Sequence, residues 1–336
     1  MAFRIGIVGT GGIGQGHIKR VNEHVMDAYV SAVYDWNQDV CRKVAAECGA
    51  KPFDNGHDLI NSPDVDAVII ACADPGHEEY SVAAIQAGKY VLCEKPLSDT
   101  VEGCERIMEA EMAGGKRLLS VGFMRRFDKD YRDMKQLIDN DVIGRPLVVH
   151  AQHRNAAPTF KFTTEMSATN ALVHEFDVTR FLIGDDDEYV SAYLVCPRPS
   201  RYAEEGFLDP QCVYLKTKNG VCIDLEFYMT SRYGYDIKCE IVGEKGTVSL
   251  PAPSHTVVRY DGGIGYEMAK TWEKRFGETY VTEIQEWVQA VREGKTVGAS
   301  AWDGYIASKV ADACLKSLQG GGIVEIPTKE KPEFYK

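Results

Sequence analysis

The sequence lacks any run of 18 or more apolar residues, so no segment is long enough to cross a bilayer as a helix. It also lacks a basic stretch followed by an apolar one at its start. Residues 3–8 enter a strand at once, and the expected location is the cytoplasm. Basic residues are in deficit, 38 Lys and Arg against 50 Asp and Glu, for a net charge of −12. A surface of that sign repels polyanions, which argues against nucleic acid or an anionic membrane as partner. Ten cysteines are present, yet none forms a Cys-x-x-Cys pair, and Cys72, Cys93 and Cys222 lie in apolar runs. They read as reduced, mostly buried thiols rather than a disulfide framework. His, Cys, Asp and Glu nowhere show metal-ligand spacing with a third ligand nearby, so no metal is expected.

What is there suits a chain of 336 residues folded as about two domains, 44% apolar and 26% charged. A strand over 3–8 runs into Gly9-Thr10-Gly11-Gly12-Ile13-Gly14, and a helix follows. Gly9 permits a tight turn, Gly11 lets backbone approach a pyrophosphate, and Gly14 allows close helix–strand packing. The amides of Gly12 and Ile13 open the helix, whose N-terminus favours phosphate. The next strand, 29–34, ends in Asp35, 21 positions beyond Gly14. A carboxylate there accepts from the adenosine ribose hydroxyls and repels a 2′-phosphate, so NAD is expected over NADP.

Strand and helix keep alternating to residue 122. The apolar run 66–73 is followed by Asp74-Pro75-Gly76-His77, where Asp74 and His77 are candidates to face the cofactor; His77 could equally serve only to open the next helix. The run 90–93 ends in Glu94-Lys95-Pro96. Ligands bind outside the carboxyl ends of parallel strands. Glu94 and Lys95 are therefore either an ion pair closing a strand or a catalytic lysine and its support beside the cofactor. Pro96 biases Lys95 towards an extended conformation. Residues 1–122 thus read as an NAD-binding Rossmann domain, a doubly wound parallel sheet.

Beyond residue 122 the pattern changes. A strand over 146–155 carries His153 and Asn155, and a helix is expected over 170–182, where Asn170 and His174 would share a face. Period-2 strands follow at 189–196, 211–217, 221–231, 235–242 and 247–250, with Asn219-Gly220 as a hairpin turn. Helices over 279–292 and 302–318 precede a last strand at 322–326. Residues 123–336 read as a substrate-binding and oligomerisation α+β domain with a large, mostly antiparallel sheet. The class overall is α/β.

A glycine-rich loop, Glu-Lys-Pro at a strand end and a histidine helix before such a sheet together resemble the Gfo/Idh/MocA oxidoreductase family over essentially the whole chain. Gly122-Phe123-Met124-Arg125-Arg126-Phe127-Asp128, Val173-His174-Glu175-Phe176-Asp177, Tyr233-Gly234-Tyr235 and Ser300-Ala301-Trp302-Asp303-Gly304-Tyr305 are most similar to its inositol 2-dehydrogenase branch. The resemblance implies that Lys95 hydrogen-bonds the reacting hydroxyl and that His174 is the base. It further implies that Met124, Arg125, His153, Asn155 and Tyr233 line a polyol pocket, and that the protein is a homotetramer. The implied reaction is NAD-dependent oxidation of a ring hydroxyl, with myo-inositol the leading substrate. A pyranose or glycoside hydroxyl is the alternative substrate, and a non-catalytic NAD sensor the alternative class. His174 could also be a hydrogen-bonded core histidine, and His153 and Tyr233 ordinary strand residues. One departure stands out: Asn170 occupies the position where that branch usually has aspartate. An amide can still orient the ring, but it cannot stabilise an imidazolium by charge. Asp177, three residues beyond His174, is the more plausible substitute for that charge, ahead of Glu175.

Overall fold

Six short strands pair in parallel in the order β3-β2-β1-β4-β5-β6: β1 Phe3–Val8, β2 Ala28–Tyr34, β3 Lys51–Phe53, β4 Ala67–Ile70, β5 Tyr90–Cys93 and β6 Leu119–Val121. This is a computed structural model, and it describes residues 2–252 and 256–336. Every residue of β4, β5 and β6 is buried, as expected of strands covered on both faces. Helices Gly12–His24, Gln38–Cys48, Gly76–Gln86 and Val101–Gly114 alternate with the strands. Their ends follow local chemistry. Asn37 caps the second through the amides of Asp39 and Val40, and Gly49 ends it in the left-handed conformation. A further strand, β3, and a helix, Gly56–Asn61, are too short for their periodicity to stand out in the sequence. The strand order reverses between β1 and β4, so the crevice at their carboxyl ends is where a ligand belongs.

The second sheet has seven strands in the order β12-β11-β7-β10-β9-β8-β15. They are β7 Pro146–Arg154, β8 Tyr189–Val195, β9 Gln211–Thr217, β10 Cys222–Tyr228, β11 Asp236–Gly243, β12 Thr247–Ser249 and β15 Val324–Glu325. Only β7 and β10 run parallel, so the sheet is mixed and mostly antiparallel. Gly220, with φ +93°, makes the β9–β10 turn. Along β7 the residues Val149, Ala151 and His153 are buried on one face, and helix Val173–Ile183 covers that face. A small hairpin, β13 Val257–Tyr260 with β14 Gly263–Tyr266, carries exposed Tyr260, Ile264 and Tyr266.

The chain divides into two compact units, but not by one cut near residue 122. The first comprises the chain through Phe127 together with Glu278–Ser308 and Lys331–Lys336. Long-range contacts explain why: Val121 pairs with Ala299, Arg126 meets Asp303 at 3.4 Å, and Tyr335 Oη donates to Glu111 Oε2 at 2.8 Å. The second comprises Asp128–Gly277 and Lys309–Glu330. The division falls within two helices, Trp272–Arg292 and Ala301–Gly320. The first of these starts seven residues before the expected position. Among the described residues no helix is long and apolar enough to cross a membrane.

Candidate active site

In the first unit, all the expected residues stand at carboxyl ends of parallel strands. Gly9 follows β1 with φ +98°, and a Cβ there would lie 2.4 Å from the Cys72 amide nitrogen, so both backbone and packing demand glycine. A Cβ on Gly14 would fall 1.9 Å from the Gly9 carbonyl oxygen, which locates the close approach of helix to turn. Around Gly11 and Gly12 the space is open. Helix Gly12–His24 begins with no side chain capping it, which leaves the first-turn amides, Ile13 among them, available to an anion. This cradle fits a pyrophosphate.

Asp35, at the end of β2, is 9% exposed and held from two sides. The amide and hydroxyl of Thr10 donate to Oδ2 at 2.7 and 3.1 Å, and the Asn37 amide donates to Oδ1 at 2.9 Å. Its carboxylate is thus held in place by the chain's own donors. Nothing in the glycine pattern singles out Thr10 for this role.

After β4, Asp74 is half-buried and His77 is almost wholly buried. The His77 ring bridges two main-chain oxygens: Nδ1 lies 2.7 Å from Pro96 O and Nε2 3.1 Å from Cys72 O. Its role inside the chain is to tie the end of β4 to the turn after β5. In that turn, Glu94 is buried and Lys95 half-buried. Glu94 Oε1 accepts from His17 Nε2 at 2.7 Å, and Oε2 from the Lys95 amide at 3.3 Å. Burial pushes the Glu94 carboxyl up, but the hydrogen bond from His17 and the fields of His17, Lys95 and His77 outweigh it and hold the group below the usual carboxylate value. After β6, Met124 and Arg125 are buried in a 3₁₀ turn, Met124–Phe127.

In the second unit, His153 is 5% exposed and its Nδ1 lies 3.0 Å from Glu175 Oε2. The rings of Phe227 and Tyr235 meet it edge-on at 5.3 and 5.6 Å. Asn155 follows β7. Its carbonyl accepts from the amide and hydroxyl of Ser231, which anchors the loop carrying Tyr233. Tyr233 is 49% exposed, donates its hydroxyl to Asp236 at 2.7 Å and accepts from Arg154 at 3.0 Å. His174 lies near the start of helix Val173–Ile183, 9% exposed.

Asn170 does not share that helix. It belongs to a π-helical turn, Ser167–Ala171, closed by the Leu172 amide on the Ser167 carbonyl at 2.8 Å. The extra residue in this turn rotates the chain, so a four-residue spacing no longer guarantees one face. The apolar pattern carries little warning of such a turn. It does contain a signal for His17: Gly14, His17, Ile18 and Val21 recur at helical spacing and form the buried stripe.

Comparison with known proteins agrees with this geometry. Residues 3–123 match the family model described as "Oxidoreductase family, NAD-binding Rossmann fold", and residues 135–326 match "Oxidoreductase family, C-terminal alpha/beta domain", both of Gfo/Idh/MocA. The chain is 44% identical to proteins named inositol 2-dehydrogenase from Pseudomonas savastanoi pv. phaseolicola and Serratia proteamaculans, over 100% of this chain and 100% and 99% of theirs. Among solved structures, myo-inositol dehydrogenase from Lactobacillus casei in complex with NAD(H) and myo-inositol is 35% identical. It superposes with a TM-score of 0.96 over 100% of both chains. With an open pyrophosphate cradle, a fixed acid after the second strand and both domain models matched, this chain belongs to the Gfo/Idh/MocA oxidoreductase family and is an NAD-dependent oxidoreductase.

Proposed function

We propose that the protein oxidises a secondary ring hydroxyl of a cyclic polyol, myo-inositol to 2-keto-myo-inositol (scyllo-inosose). The observation that carries this reading is end-to-end 44% identity to inositol 2-dehydrogenases in a chain that retains both Lys95 and His174. Gly9, Gly11, Gly12, Ile13 and Gly14 hold the pyrophosphate of NAD, and Asp35 takes the adenosine ribose and excludes a 2′-phosphate. When bound, NAD supplies the carbon that accepts hydride from the substrate.

The chain's own groups manage the proton and the charge. Losing hydride from a secondary alcohol develops carbonyl character, so the hydroxyl proton must leave nearly in step. His174 takes that proton on a ring nitrogen, and the Lys95 ammonium hydrogen-bonds the oxygen and stabilises charge developing there. Asn170 orients the His174 ring by hydrogen bonding without adding charge. Met124, Arg125, His153, Asn155 and Tyr233 line the polyol. Of these, Tyr233 brings a hydroxyl already engaged by Arg154 and Asp236, so it offers a rigid edge rather than a free donor. The assembly we propose is a tetramer in the cytoplasm.

The test is formation of reduced nicotinamide while myo-inositol, scyllo-inositol, glucose and a methyl glucoside are offered in turn with NAD. Myo-inositol should give the highest kcat/KM, by about tenfold or more over the pyranoses, and the product should be the 2-ketone. Preference for the pyranoses would move the assignment to a sugar dehydrogenase. NAD binding without turnover of any alcohol would make the protein a sensor.

A further inference from the structure

A buried titratable cluster of the first unit lies behind the Lys95 turn, and one member, His17, has no part in the chemistry proposed above. His17 is fully buried and projects from helix Gly12–His24, the helix that opens at the pyrophosphate cradle. Its Nε2 meets Glu94 Oε1 at 2.7 Å. Because the Glu94 carboxyl is held ionised, Glu94 can only accept, and the hydrogen therefore sits on His17 Nε2. The other Glu94 oxygen accepts from the amide of Lys95 itself at 3.3 Å.

The surroundings leave this link little freedom. The Tyr280 ring stands edge-on to His17 at 5.9 Å, and the Arg20 guanidinium lies 4.5 Å from the centre of the same tyrosine. On the far side, a Cβ on Gly122 would come within 3.2 Å of Glu94 Oε2, so any side chain there would crowd the carboxylate. The next peptide is fixed too, since Pro96 O lies 2.7 Å from His77 Nδ1. Both chain neighbours of Lys95 are anchored by buried histidines, so the backbone that carries the lysine is held from either side.

We propose that His17 is a positioning residue for the oxidation: through Glu94 it fixes the Lys95 turn relative to the helix that carries the cofactor loop. The inference rests on the assignment of Lys95 to the chemical step. A hydrogen-bonded link of this kind acts on geometry, and a misplacement of about 1 Å at a reacting group costs on the order of 10²-fold in rate.

The experiment compares His17→Leu, His17→Gln and Glu94→Gln in the full-length protein, each with and without Lys95→Ala. Readouts are kcat, KM for myo-inositol and NAD, NAD affinity by fluorescence, and melting temperature. His17→Leu should lower kcat by about 10- to 100-fold while NAD affinity changes by less than about threefold. His17→Gln, which retains a side-chain N–H donor, should recover most of the loss. In the Lys95→Ala background His17→Leu should add less than about twofold, because residues acting as one unit are not additive. An equal loss in both backgrounds, or wild-type kcat in His17→Leu, overturns the proposal. Should His17→Leu not fold, the nearly isosteric Glu94→Gln decides the matter through the same two-background comparison. If Lys95→Ala alone keeps wild-type turnover, it is the lysine assignment that fails.

Discussion

Each unit contains a buried histidine–carboxylate pair, and the two are built differently. In the first, Glu94 ends a parallel strand and is met by His17 from a helix 77 residues earlier, at 2.7 Å. In the second, the histidine is on the strand and the carboxylate on the helix, His153 against Glu175 at 3.0 Å. In both, the chain neighbour of the carboxylate is a proposed reacting residue: Lys95 follows Glu94, and His174 precedes Glu175. On a turn, anchoring the carboxylate fixes the next backbone amide, so the lysine is aimed through its main chain. On a helix, neighbours point about 100° apart, so tying Glu175 to β7 turns His174 to a separate face. A catalytic candidate thus gains orientation from a buried neighbour in sequence, by a route that depends on local backbone.

The sharpest way to break this comparison is Lys95→Ala. It should lower kcat/KM by about 10²-fold or more while melting temperature and NAD affinity stay nearly constant. A variant that unfolds instead would make the first pair and its lysine a strand-closing device. For the second pair the larger effect should be on stability. Glu175→Ala leaves His153 buried without this partner, and denaturant unfolding should report a loss of about 3 kcal/mol. A loss below about 1 kcal/mol would mean that the pair does not hold β7 to its helix.

Two smaller effects separate the units further. Asp35→Ser should raise the NADP to NAD ratio of kcat/KM by about tenfold or more, because a fixed repulsive carboxylate is removed. A wild-type enzyme that already uses both cofactors equally would refute the role of Asp35. Asn170→Asp should move the rising limb of the pH–rate profile to higher pH, by up to about one unit, because the added charge favours a protonated His174. An unmoved limb would mean that the π turn keeps the two side chains apart.

The smallest effect concerns acid stability. The Glu94 carboxyl is lowered in the folded state, so its stabilisation is complete above the ordinary carboxylate value and is lost as pH falls through the lowered one. Glu94→Gln should therefore flatten that part of the acid unfolding curve. Retention of the full wild-type slope would show that Glu94 gains nothing from His17.

Much of this was legible in the chain itself. The glycine loop, Asp35 at its spacing and the Glu94-Lys95-Pro96 strand end depend on short-range rules, since a parallel strand and its following turn are contiguous in sequence. The hairpin at Asn219-Gly220 follows for the same reason. Other features were not legible because they need partners distant in the chain. Periodicity marks His17 as inward-facing, but nothing local says that it will meet Glu94. Glu175 reads as a possible partner for His174, its neighbour, yet its carboxylate goes to His153. The helix expected over 170–182 is interrupted by a π turn, because one inserted residue changes the hydrogen-bond ladder without changing the apolar pattern.

The sequence by itself therefore determined the two sheets and the cofactor loop, which follow from local patterns of side chains, while the roles expected of Lys95 and His174 came from the family resemblance. Only the tertiary structure decided which carboxylate each buried histidine meets, and that residues 278–308 and 331–336 pack with the first unit. The physical reason is burial. A polar group taken out of water must find a partner wherever the fold supplies one, and distance along the chain does not enter that requirement.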